Sequence, residues 1–156
     1  MSSKTFPLSD IGKFYKQLDD FKEKLVIILS QFDKTHAIID INKYYDKLLM
    51  VKKANVRKPI ELFYEYGVTK YAENILTRDE KVFLSDVSAI SDSGEVSQHD
   101  MLFISQISQI WKDLQPAIKN NIWNYIQVIC MLSERVTGKS FLSDISKDLK
   151  SRGKLE

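Results

Sequence analysis

Apolar residues return at three- and four-residue spacing along most of the chain, beginning with Ile11, Phe14, Leu18, Phe21, Leu25, Ile28 and Phe32. That spacing is one face of an α-helix. Lys13, Lys16, Asp19, Asp20, Glu23 and Lys24 fill the opposite face, and Ser9 stands where an N-cap belongs. The pattern predicts a helix from Ser9 to about Gln31. After a turn at 33–35, Ile38, Ile41, Tyr45, Leu48 and Leu49 predict a second helix over about 36–52. Pro59 suits a first helical turn and opens a third stripe to Leu76, with Ile60, Phe63, Tyr64, Gly67, Tyr71 and Ile75 inward. Gly67 inside that helix costs about 1 kcal/mol relative to Ala. It marks either a close approach by another helix or a bend. Thr77-Arg78-Asp79-Glu80 has the form of a capping box and predicts a short helix through Leu84.

The most apolar stretch runs from Asp100 to Gly138. Phe103, Ile107, Ile110, Trp111 and Leu114 predict one helix. Ile118, Ile122, Tyr125, Ile126, Ile129 and Leu132 predict another starting at Pro116, with Trp123, Val128 and Met131 widening its apolar surface. The two form a helical hairpin pivoting at Pro116 and stopped at Gly138. Phe141, Leu142, Ile145 and Leu149 predict a last helix over 140–150. No alternating strand pattern bounded by hairpin turns occurs. The expected fold is a single all-α domain, a bundle of six or seven helices around the C-terminal-half hairpin. Residues 1–8 are expected to be loose, the Ser-, Asp- and Gly-rich 85–98 to form a loop, and 151–156 to form a frayed tail.

Composition supports this picture. A 156-residue chain with five Gly and three Pro suits one domain with long helices. The apolar runs LVIIL (25–29) and VICML (128–132) are far shorter than the ~20 residues of a membrane-spanning helix. The N-terminus has no apolar signal-peptide core. A soluble, intracellular protein is expected. Cys130, the single cysteine, sits in an apolar run and reads as a buried, inert thiol.

The net charge of +2 is too small to indicate a nucleic-acid or membrane partner, but its distribution is uneven. Residues 1–78 carry fourteen Lys and Arg against ten Asp and Glu, and residues 79–156 carry nine against eleven. Lys47, Lys52, Lys53, Arg57 and Lys58 form a basic run without an acidic residue, and they are the candidate binding patch. Tyr44, Tyr45 and Tyr64 lie close enough in sequence to stack on bases. Nucleic-acid binding through 47–58 is therefore the alternative function.

Catalytic constellations are absent from the sequence pattern. Five scattered glycines make neither a dinucleotide fingerprint nor a P-loop, and Thr137-Gly138-Lys139-Ser140 reads as a glycine helix stop followed by a Ser cap. His36, with Asp33 and Asp40, reads as a solvated helix start, and two His with one Cys make no ordinary zinc site. No catalytic, cofactor-binding or metal-ligating residue is assigned, and no cofactor is expected.

Three segments carry a resemblance: NVRKPIELFYEYG (55–67), LTRDEKVFL (76–84) and QIWKDLQPAIKNNIWNYIQVICMLSER (109–135). Their order, a basic Pro helix start, an acidic capped turn and a Trp-Lys…Ile-Trp-x-Tyr-Ile-Gln helix pair, resembles uncharacterised small helical proteins of nucleocytoplasmic large DNA viruses. Here Arg57-Lys58 precede Pro59, whereas the viral motif runs Pro-Arg-Lys. The resemblance implies a viral protein of the infected-cell cytoplasm or the virion, and it carries over no catalytic residue. The expected function is a non-enzymatic interaction or structural protein, with another protein or a second copy as partner.

Overall fold

In the computed structural model, which describes residues 9–84 and 104–155, the first apolar stripe forms α1 (Asp10–Gln31). The Ser9 hydroxyl accepts from the Gly12 amide at 3.1 Å, so the N-cap forms as its residue type predicts. Phe14, Leu18, Phe21, Leu25 and Ile28 are buried. Asp33 takes the left-handed conformation (φ 56°) and lets the Lys34 amide reach the Leu29 carbonyl at 3.0 Å, which ends the helix. α2 (Thr35–Ala54) then buries Ala37, Ile41 and Tyr45.

The third stripe forms one rod with an irregular middle. α3 (Lys58–Phe63) passes into a π-helical turn (Tyr64–Val68) and on into α4 (Thr69–Thr77). Gly67 lies in that π turn. A Cβ added there would meet only the Phe63 ring, at 4.0 Å. Of the two roles expected for Gly67, the irregular turn is therefore the one present.

The segment read as a capping box is built differently. Thr77 ends α4, and its hydroxyl donates to the Glu73 carbonyl at 2.8 Å. Arg78 adopts φ 52°, and the Asp79 amide returns to the Asn74 carbonyl at 2.8 Å. The Asp79 carboxylate then accepts from the Lys81 amide at 3.1 Å, at the start of α5 (Lys81–Leu84). The cap is thus Asp79, two residues later than expected, because the left-handed closure of α4 uses up Thr77 and Arg78.

The first arm of the hairpin also differs. Residues 104–108 form α6, after which the chain leaves α geometry and makes a 3₁₀ turn (Trp111–Asp113). Gln115 is extended (ψ 148°), as Pro116 requires of its predecessor. α7 (Pro116–Thr137) follows and stops at Gly138 (φ 70°). α8 (Phe141–Ser151) comes last. Residues read as a loose tail make a second closure: Gly153 takes φ 71°, and the Lys154 amide reaches the Leu149 carbonyl at 2.8 Å. The expectations for 1–8, for the 85–98 loop and for Phe103 lie outside the described residues.

The described residues form an all-α bundle with no strand among them. α7 lies at its centre and packs most extensively on α1, with the α3–α4 rod and α8 alongside. Phe83, Trp111 and Trp123 form an aromatic cluster in the core, with ring centroids 4.4, 5.1 and 5.8 Å apart and the two indoles edge to face. The Trp111 indole N–H donates to Glu80 at 2.9 Å, which satisfies the one polar atom of that buried ring. A second apolar cluster (Val68, Ala72, Ile75, Cys130, Leu142) joins α4, α7 and α8. No described helix is long and apolar enough to cross a membrane.

Candidate functional site

Where α1, α2, the α3–α4 rod, α5, α6 and α7 meet, their faces do not close completely. They leave a cavity of about 290 Å³. Phe14 and Leu18 of α1, Phe63 and Gly67 of the rod, and Trp123 and Ile129 of α7 form its inner wall. The π turn contributes directly: Gly67, which has no side chain, lines the space from within it. π turns of this kind recur at functional sites.

α2 forms the outer edge. Tyr44, Lys47, Leu48 and Val51 lie three, four and seven residues apart on one face of the helix. Lys47 and Val51 are exposed, while Tyr44 and Leu48 are half-buried, so this face is the mouth. Lys47 is the one charged side chain among the described lining residues. Cys130 stands at the far wall, fully buried. Burial, and secondarily the Glu134 carboxylate, pushes its thiol well above the usual range. It is neutral and non-nucleophilic there. Cys130 and Ile75 also face a shallow depression between α4, α7 and α8, so they form a partition between two hollows.

The five basic residues singled out in the sequence are divided among different tasks. Lys47 sits at the cavity mouth. The Lys52 ammonium lies 4.2 Å from the centroid of the Tyr15 ring. The Arg57 guanidinium donates to the Val136 carbonyl at 2.6 Å, which ties the α2–α3 connection to the end of α7. Tyr15 reinforces that junction by donating to the Val56 carbonyl at 2.5 Å. Lys47, Lys53 and Lys58 are exposed, and none of them makes such a contact among the described residues.

Other polar side chains hold helix ends or face solvent. Glu134, buried among apolar residues, accepts from the Leu142 amide at 2.6 Å and so caps α8. The expected cap, Ser140, instead turns its hydroxyl to Asp144 at 3.2 Å. His36 is exposed, and among the described residues no three His, Cys, Asp or Glu converge as metal ligands would. Sequence reasoning passed over the cavity. Its signals were Tyr44 and Val51 flanking Leu48 on α2, and Gly67 inside a helix.

The chain matches no protein-family model, no curated protein and no solved structure.

Proposed function

We propose that this protein acts by binding and not by catalysis, and that the cavity bounded by α1, α2, the α3–α4 rod, α5, α6 and α7 is where it receives an apolar group. The supporting observation is the cavity itself. Its volume of about 290 Å³ lies at the lower edge of the ~300–1,000 Å³ typical of ligand sites. Its one thiol is held neutral and its one charged group is at the rim. Such a lining excludes water and holds apolar matter.

Trp123 lines the cavity and supplies the readout. A neutral naphthalene-type fluorophore titrated into the protein should quench indole emission saturably and raise the melting temperature. A probe that leaves both unchanged would overturn this reading. The setting, a virion component or an accessory protein of the infected cytoplasm, rests on the segment resemblance, and mass spectrometry of purified particles decides between the two. Nucleic-acid binding is supported by the exposed side chains Lys47, Lys53 and Lys58 of the basic run. It predicts DNA or RNA affinity that falls steeply with salt and is lost in Lys53→Gln/Lys58→Gln.

A further inference from the structure

The cavity has a polarity, and that polarity suggests a class of ligand. The inner wall is aliphatic and aromatic from Phe14 through Trp123 to Ile129, and the Cys130 thiol behind it carries no charge. The rim on α2 presents an ammonium, Lys47, and the lining also holds the phenols of Tyr44 on α2, Tyr66 on the π turn and Tyr71 on α4. Lys47 has no carboxylate partner within ion-pair distance among the described residues. A largely apolar hollow whose rim carries a cation without an ion pair among the described residues is complementary to a molecule with an apolar body and an anionic end.

The size limits the body. An apolar cavity of ~150 Å³ encloses one benzene and stays dry. The present one, at about 290 Å³, holds roughly twice that, which suits a single medium-length chain and not a two-chain lipid. The missing side chain at Gly67 matters here, because a Cβ there would meet nothing closer than 4.0 Å. A larger residue would grow into the free space.

We propose that the cavity binds a single-chain amphiphile with an anionic head, its chain between α1 and α7 and its head paired with the Lys47 ammonium. This assignment rests on the reading of the cavity as a binding site. The carboxylate of a free fatty acid and the acidic head of a one-chain lipid share the required chemistry.

The experiment compares decanoate, decanol and decyltrimethylammonium, each below its micelle concentration, by Trp emission and melting temperature. Decanoate should bind most tightly, decanol more weakly, and the cationic amphiphile weakest. Lys47→Gln should weaken decanoate by about tenfold, which is ~1.4 kcal/mol, and leave decanol unchanged. Gly67→Leu should weaken all three. Decanol should displace decanoate in the unaltered protein, a test of the shared chamber that needs no variant to fold. Sedimentation with phosphatidylcholine vesicles carrying lysophosphatidylserine distinguishes the source: no protein should pellet if the ligand is a free monomer. Equal affinity for the three probes, or a Lys47→Gln protein with unchanged decanoate binding, overturns the anionic-head assignment and leaves the binding reading standing. Binding of none of them overturns both. Pelleting with the vesicles shows a lipid surface as the source and overturns the free-monomer form.

Discussion

Trp123 shows how single side chains hold this molecule. It is 4% exposed, touches both Phe83 and Trp111, and forms part of the cavity wall. Truncating such a ring removes apolar burial and leaves a void, so Trp123→Ala should lower stability by about 3–5 kcal/mol in a urea titration. Tyrosines give a second prediction at this scale. Burial raises the Tyr15 phenol from 10.0 to about 12. Tyr45 is raised further, chiefly by burial and then by the charge of Asp19, to which it donates at 3.1 Å. The folded state therefore holds these protons more tightly than the unfolded chain. The Tyr15 contribution is complete below about pH 10 and is lost as the pH rises through about 12, and that of Tyr45 is lost at still higher pH. Chemical denaturation from pH 9 to 12 should show the midpoint falling above about pH 10. The double variant Tyr15→Phe/Tyr45→Phe should flatten that fall.

Helices were legible in the sequence wherever one face is apolar, and their ends were legible only where a local rule acts alone. Ser9 and Gly138 do what their residue types suggest. Thr77 and Ser140 do not, because each competes with a stronger arrangement: the left-handed Arg78 in one case, the buried Glu134 in the other. A carboxylate reaching eight residues forward to cap a helix has no sequence pattern of its own. It does make a sharp prediction. Glu134→Ala leaves the buried Leu142 amide without an acceptor and should cost about 1–3 kcal/mol in urea. Glu134→Gln, which keeps an oxygen in place, should cost clearly less. Arg78 carries a related one. Its guanidinium donates to Asn124 at 2.5 Å and to Gln127 at 3.1 Å, across from its strained backbone. Arg78→Ala loses both bonds and keeps the strain. Arg78→Gly relieves the strain and should be the more stable of the two by about 1 kcal/mol, as measured by thermal melts.

For the whole molecule, the all-α class followed from periodicity, because a stripe that must be buried requires another stripe to meet it. The site was harder to see. A cavity records where faces fail to meet, and that depends on the relative rotation of helices distant in sequence. Gly67 lines the space from within the π turn, and Lys47 lines it beside Tyr44, Leu48 and Val51 on α2. The basic run reads as one patch in sequence, yet folding places Arg57 against α7, Lys52 on Tyr15 and Lys47 at the cavity mouth.

The pairing of α1 with α7 also bears on how the chain is made. These helices share the largest contact in the bundle, but α7 leaves the ribosome about a hundred residues after α1, a delay of roughly 5–20 s at ordinary synthesis rates. For that interval the part of the α1 face that meets α7, with Phe21 against Tyr125, lacks its final partner. The nascent chain therefore presents an adhesive stripe for seconds before its counterpart exists. A ribosome-bound chain stalled before Pro116 should cross-link to chaperones through α1, and one extended past Gly138 should not.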